Sequence, residues 1–163
     1  MLVYHPAFDA YHCLFRSIAI LEAYPKMEID RLRILDFCLS FPTIITQFKL
    51  PAGLNSVKKA AISVANPYRD PISAKSVFIN VAPIQSAAFS CLTATGLTTI
   101  SSNLLARTDV ILPESIKQRC LDLRKEEKVF FENILFVLMD LPLLGPNGLK
   151  ARSGLMEYRY DNV

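Results

Sequence analysis

The chain lacks the short motifs that mark common catalytic sites. It contains no Gly-x-Ser-x-Gly, no His-Glu-x-x-His and no Gly-x-Gly-x-x-Gly, so no nucleophile elbow, zinc-protease helix or dinucleotide loop is expected. Gly145 to Lys150 superficially resembles a phosphate loop. It lacks the Gly-Lys-Ser/Thr ending and follows a helical pattern instead of a strand. Histidine is limited to His5 and His12, and none of Cys13, Cys38, Cys91 and Cys120 sits in a CxxC pair. A closed metal site is not expected at this spacing. Dispersed cysteines in apolar settings read as buried, reduced thiols, which points to a reducing, cytoplasmic compartment. The start, Met1 to Pro6, has no basic stretch of the kind that opens a signal peptide.

Charge is also scarce. Charged residues make up 20% of the chain, apolar ones 52%, and mean hydropathy is +0.29. The apolar block from Val129 to Leu141 is interrupted by Glu132, Asn133 and Asp140, so no membrane-spanning helix and no membrane partner are expected. The apolar excess is then left for a core or for partner proteins. A length of 163 residues suits one domain with a real core.

The net charge of +3 is unevenly placed. Residues 41–108 carry Lys49, Lys58, Lys59, Arg69, Lys75 and Arg107 against Asp70 alone, a net of +5. The flanking segments, 1–40 and 109–163, are each at −1. A basic middle third favours an anionic partner, nucleic acid first, and equally fits a solvated surface with scattered lysines. Lys58, Lys59, Arg69, Lys75 and Arg107 are the candidate DNA contacts.

Periodicity predicts a mainly α chain. A helix over 6–24 starts at Pro6 and aligns Phe8, Tyr11, Phe15, Ile18 and Leu21 on one face. A second over 27–40 lines one side with Ile29, Leu32, Leu35 or Ile34, and Cys38 or Leu39, with Asp30, Arg31, Arg33 and Asp36 on its more polar side. Thr43 to Leu50 reads as a short helix, Asn55 as the N-cap of another, and 75–81 as an extended segment. Pro83 suits a helix start and Gly96 its C-cap. Leu97 to Ile100 and Thr108 to Leu112 read as a hairpin with a long tip. Pro113 opens a helix running to about Asp140, apolar nearly all round in its second half and therefore expected to be buried on every face. The expected fold is mainly α with a small β-hairpin, a winged-helix-like α+β accessory subunit. It forms a single domain over 1–163, with a winged-helix-like part over about 27–112 and a C-terminal helix plus docking tail over 113–163.

The tail stands out because it ends in apolar and aromatic residues interleaved with cations. Leu149, Lys150, Arg152, Leu155, Tyr158, Arg159 and Tyr160, together with Phe136 and Met139 of the preceding helix, are the candidate partner-binding residues. Tyr and Arg concentrate binding energy at interfaces. The alternative is a tail packed on its own domain. Asp9, His12 and Cys13, spaced i, i+3 and i+4, are the one grouping that hints at a hydrolase or metal cluster. A helix-end histidine, His5, and a partly buried His12 satisfied by a hydrogen bond are the alternative.

Four segments carry a family resemblance: Leu2-Val-Tyr-His-Pro-Ala-Phe-Asp-Ala-Tyr-His-Cys13, Ile29-Asp-Arg-Leu-Arg-Ile-Leu-Asp-Phe37 followed by Phe41-Pro42, Pro83 to Ala88 with Gly96-Leu97, and Gly148 to Asp161. Together the chain resembles the middle component of bacterial ABC three-component conflict systems, a group that includes Lamassu-type anti-phage and anti-plasmid defence. The resemblance implies a non-catalytic accessory or adaptor subunit without cofactor or metal. Its implied partners are an SMC-like ABC ATPase and an effector such as a nuclease, with DNA reached through the complex. The rival expectation is a stand-alone winged-helix DNA-binding regulator, carried by the basic middle third.

Overall fold

Prolines and buried apolar stripes set the element boundaries in this computed structural model, which describes residues 4–161. Helices alternate with short connections, and three strands make one small antiparallel sheet. The chain forms two compact units. One holds the chain up to Asp36 together with Asn80–Glu126; the other holds Phe37–Ile79 together with the chain from Glu127 onward.

The first unit begins with a 3-10 turn, Pro6–Phe8, and then α1, Ala10–Ala23. Asp9 caps α1 by accepting the Tyr11 N–H at 2.8 Å. The cap separates the turn from the helix and corrects the expected single helix over 6–24. Phe15, Ile18 and Leu21 are buried as the period requires, whereas Phe8 and Tyr11 are exposed. After Pro25 comes strand β1, Lys26–Glu28, where a helix was expected; α2 then runs Ile29–Ser40.

Helix α4, Ala74–Ala94, is the longest element. It corrects two expectations: 75–81 is helical, and Pro83 lies inside the helix instead of at its start. The missing Pro83 N–H costs one ladder bond. Gly96 ends the helix with φ +76°, and its N–H and that of Leu97 return to the carbonyls of Thr93 and Leu92. A left-handed residue is needed there, which glycine adopts without strain.

Strands β2, Thr98–Ser101, and β3, Leu104–Arg107, follow. The hairpin exists, but its second strand lies at 104–107, not 108–112, and its tip is the two-residue turn Ser102-Asn103, with Ser102 at φ 56°. Short loops of this kind, with a positive φ, match the twist of the strands they join. The Arg107 N–H donates to the Pro25 carbonyl and the Ile29 N–H to the Asn103 carbonyl, both at 2.7 Å, so β1 pairs with β3 and the sheet order is β1-β3-β2. Helix α5, Glu114–Glu126, packs on α1 through Cys120 and Leu123.

A buried polar cluster joins α1, α2 and α4. Arg16 Nε donates to Asp36 Oδ1 at 2.6 Å, and Gln85 Nε2 donates to Asp36 Oδ2 at 2.8 Å. Gln85 Nε2 also donates to the Arg33 carbonyl at 3.0 Å, while its Oε1 accepts from Arg33 Nε at 3.2 Å. Asp36 and Arg31, placed on the polar side of α2 from sequence, are both buried. Each has its counter-charge, Arg31 from Glu28 at 2.8 Å and Asp36 from Arg16, which is the condition for tolerating charge inside.

The second unit is built on aromatics. Phe37 meets Phe41 at 5.0 Å and Phe78 edge-on at 5.3 Å between ring centres. Pro42–Gln47 is a 3-10 turn where a helix to Leu50 was expected. It packs against α3, Asn55–Ser63, through Ile44, Ile45, Val57 and Ala61. Asn55 is the first helical residue of α3, and Leu54 occupies the cap without a side-chain bond. The expected helix from Pro113 to Asp140 is not continuous either. After α5 the chain makes a π turn, Phe130–Ile134, and then α6, Leu135–Asp140. Phe130, Ile134, Leu135 and Leu138 are buried, but Phe136 is 47% exposed, so the segment is not buried on every face. A short α7, Leu149–Ser153, completes the unit.

By length and composition alone, α4 is apolar enough to cross a membrane. It lies in a run from Ser76 to Ala106 without one charged side chain, which corrects the expectation, drawn from 129–141, that no helix is long and apolar enough. In the fold it behaves as an amphipathic helix, burying Phe78, Val81, Gln85, Ala88, Phe89 and Leu92.

The cluster predicts a graded response. Asp36→Ala leaves the Arg16 guanidinium buried beside no carboxylate and is expected to cost about 3–5 kcal/mol in urea denaturation. Arg16→Met combined with Asp36→Leu is expected to cost less than the single change; equal losses would contradict the paired-charge account.

Candidate interaction site

The tail divides into a part held by its own unit and a part left outside. Pro142 stops α6, and the chain turns back at Gly145 to Gly148. The Leu149 N–H donates to the Pro142 carbonyl at 2.7 Å and the Lys150 N–H to the Leu143 carbonyl at 3.2 Å. Gly148 sits so close that a Cβ would lie 2.3 Å from the Leu144 carbonyl oxygen, so only glycine fits. Leu149 and Leu155 are buried, and Lys150, also buried, donates from Nζ to Asp161 at 2.7 Å. Arg152 donates to the carbonyls of Asn147 (2.6 Å) and Lys49 (2.5 Å), while the Lys49 N–H donates to the Arg152 carbonyl at 2.9 Å. These bonds tie α7 to the segment after the 3-10 turn. Of the candidate partner-binding residues, Leu149, Lys150, Arg152 and Leu155 thus serve the unit itself. Tyr158 and Met139 are partly buried, Arg159 is exposed, Tyr160 is 88% exposed, and Phe136 is half-exposed.

The candidate DNA contacts separate along the same lines. Arg107 belongs to the first unit, where Nε donates to Glu22 at 2.5 Å and the remaining donors reach the carbonyls of Leu97, Thr108 and Val110 at 2.9–3.0 Å. Its guanidinium is occupied structurally. Lys58, Lys59, Arg69 and Lys75 all belong to the second unit, with Lys58 half-buried and the others exposed. The charge of the chain divides accordingly. The first unit has nine basic and nine acidic residues, the second nine basic and six acidic, so the entire net +3 lies in the second.

The tail reaches this basic region. The Glu157 carboxyl is held below its usual range, first by the N–H groups of Arg159 and Tyr158, with the charges of Arg159 and Lys75 adding to the effect. The charges of Arg159 and Lys75, assigned separately from sequence to protein and to DNA, thus bear on one carboxylate. Sequence reading missed the apolar members of that surface. Tyr68 is 99% exposed, Ile72 fully exposed and Ile62 more than half exposed. For Tyr68 and Ile72 the only available signal was their position beside Asn66-Pro67 and Pro71, where loop geometry leaves a side chain nothing to pack on, whereas Ile62 lies on the outward face of α3. A cavity of about 180 Å³ opens beside them, lined by Ser40, Val64, Asn66, Arg69, Asp70 and Glu127.

The Asp9, His12 and Cys13 grouping does not converge. Asp9 caps α1 and accepts the Tyr4 hydroxyl at 2.7 Å; the His12 ring packs near Tyr4 and Tyr11. Cys13 is buried toward Ser17 and Asp36. Burial, followed by the Asp36 carboxylate, pushes its thiol well above the ordinary range, so it does not supply a thiolate nucleophile. Burial likewise raises the Cys120 thiol to about 11.

Two measurements check this geometry. Iodoacetamide at pH 8 should label exposed Cys91 in the native chain and leave Cys13 and Cys120 unmodified until the protein is denatured, as read by mass spectrometry; native labelling of Cys13 at the Cys91 rate would contradict its placement. Gly148→Ala should destabilise the chain by about 1–3 kcal/mol, because backbone carbonyls and not flexible side chains meet the added carbon. An unchanged denaturation midpoint would show that the tail docks otherwise.

No curated protein and no solved structure matches the chain. A family model does: it describes Middle Component 5 of ABC-three component (ABC-3C) systems and covers residues 2–161, and the chain belongs to that family.

Proposed function

We propose that the protein is a non-catalytic adaptor that joins an SMC-like ABC ATPase to an effector such as a nuclease in an anti-phage or anti-plasmid defence complex. Family membership makes it an accessory component among partner proteins of such a system. The observation that carries the finer reading is the uncharged surface of α4 and the β2–β3 hairpin. The order α1, β1, α2, α4, β2, β3 with β3 at the centre of the sheet fits a winged helix in which α4 takes the reading position and the hairpin is the wing. A helix and wing that dock on DNA need cations for phosphates. Here Ser76 to Ala106 has none, Lys75 at the start of α4 being the last cation before the run, and over 86–94 the outward residues of α4 are Ser86, Ala87, Ser90, Cys91 and Ala94. Arg107, the first cation after the run, is engaged by Glu22 and three carbonyls. An exterior without charged side chains suits contact with a protein, whose interface cores are depleted of charge.

The second reading, a stand-alone DNA-binding regulator, is favoured by the net +3 of the second unit. Titration of the purified chain with duplex DNA separates the two. The adaptor reading expects no binding at low salt by the isolated chain and co-purification with the ATPase and effector of its system. Ala87→Arg with Ser90→Arg should weaken association with one of those subunits at least tenfold while leaving the melting temperature unchanged. Salt-dependent duplex binding by the isolated chain, with assembly indifferent to both substitutions, would favour the regulator instead.

A further inference from the structure

The second unit carries a surface that the α4 and hairpin contact does not use. From Lys59 to Lys75 the chain presents, in order, Lys59, Ile62, Tyr68, Arg69, Ile72 and Lys75, all exposed. The segment is structured. The Tyr68 N–H donates to Asn66 Oδ1 at 3.3 Å and the Arg69 N–H to the Asn66 carbonyl at 2.9 Å. Thr43 Oγ1 donates to Asp70 Oδ1 at 2.5 Å, tying the loop to the 3-10 turn. Ser73 meets Ser76 at the start of α4. Asp70 is the one acidic residue between Phe37 and Ile79, against five cations over the same stretch, and Glu157 of the tail and Glu127 add carboxylates near Lys75 and Arg69. Lys59, Arg69 and Lys75 form no ion pair within 4 Å among the described residues.

We propose that this 59–75 surface is a second docking site, and that its occupant is an acidic, apolar-bearing segment of a partner subunit of the same system. The inference rests on the adaptor reading, since an adaptor needs two separate contact surfaces. Charge complementarity selects an acidic partner, and the exposed isoleucines and tyrosine select one that brings apolar side chains of its own. DNA would neutralise the cations and leave Ile62 and Ile72 against a hydrated polyanion. An anionic bilayer would accept both kinds of group, but three cations and two isoleucines are fewer than lasting attachment takes. Tyr68 adds a large, rigid contact of the sort that anchors protein interfaces. Because the loop is already ordered by Asn66, Thr43 and Ser73, little conformational freedom is lost on binding.

The test uses the intact chain co-expressed with the ATPase and effector of its system. One variant reverses charge, Lys59→Glu, Arg69→Glu and Lys75→Glu; a second removes apolar contact, Tyr68→Ser and Ile72→Ser. All five positions are exposed, and an unchanged melting temperature confirms the fold. Each variant is expected to lose at least tenfold in affinity for one partner subunit, with wild-type affinity falling as salt rises, and to keep the subunit that the Ala87→Arg/Ser90→Arg variant loses. Full assembly by both variants overturns the proposal while leaving the adaptor reading intact. So does a variant that assembles normally but loses wild-type binding to a 20-base-pair duplex or to phosphatidylserine vesicles. A wild-type chain that co-purifies with neither subunit overturns both readings.

Discussion

The buried Asp36 carboxylate is the constraint around which the first unit is arranged. A carboxylate taken out of water must find its counter-charge and its hydrogen-bond donors within the fold. Asp36 finds one of each on two different helices, Arg16 on α1 and Gln85 on α4. Neither donor tolerates much displacement, so three helices are held in one register by bonds that span up to 49 positions in sequence. Arg16 Nη1 extends the cluster to the Pro6 carbonyl at 3.1 Å, which places the opening 3-10 turn as well. Apolar packing around Ile18, Leu32 and Leu92 supplies cohesion but has no such directional demand. The polar cluster therefore sets which helix lies where, at a desolvation cost that apolar side chains would not carry.

That arrangement also fixes what α4 can do. Gln85 and its apolar neighbours commit one side of the helix to the interior, and after Lys75 the other side is left with uncharged residues, Ile79, Asn80 and Pro83 followed by serine, alanine and Cys91. The run without charge continues through β2 and into β3, so helix and hairpin form one chemically uniform exterior. The cations are collected on the second unit, beside exposed isoleucine and tyrosine. Two surfaces of opposite chemical character on one small chain support the adaptor reading better than either surface does by itself.

Much of this fold was legible in the sequence, and the losses have identifiable causes. The positions of α1, α2 and the end of α4 followed from period and from Pro25, Phe41-Pro42 and Gly96. Strand β1 was missed because three residues between two helices carry too short a pattern to register; its partner β3 lies 78 positions away by the Met27 to Leu105 pairing. Pro83 misled because proline is commoner at a helix start than in its interior, and here packing of α4 outweighs the lost bond. Asp36 and Arg31 were assigned to a polar face because sequence shows a charge but not its partner. The candidate site fared differently again. The cations of the middle third were visible, but that Arg107 is consumed by Glu22 and that Ile72 stands fully in solvent are facts of tertiary placement.

The tail shows why residue type alone does not assign a role. Tyr and Arg there suggested one continuous docking strip, yet burial divides it at about Leu155. The first half fills the second unit: Leu149 and Leu155 lie in the core, Lys150 is paired with Asp161, and Arg152 bridges to Lys49. Removing residues 148–163 would therefore expose a core and leave Lys49 without its partner, and a loss of assembly would follow from a damaged unit whether or not the tail meets another protein. Only the exposed end can be questioned cleanly. Tyr160 projects into solvent, the Arg159 N–H donates to Glu157, and the charge of Lys75 also bears on that carboxyl. If the tail takes part in docking, it does so as a margin of the 59–75 surface, adding one cation and one aromatic ring to a site whose centre is elsewhere.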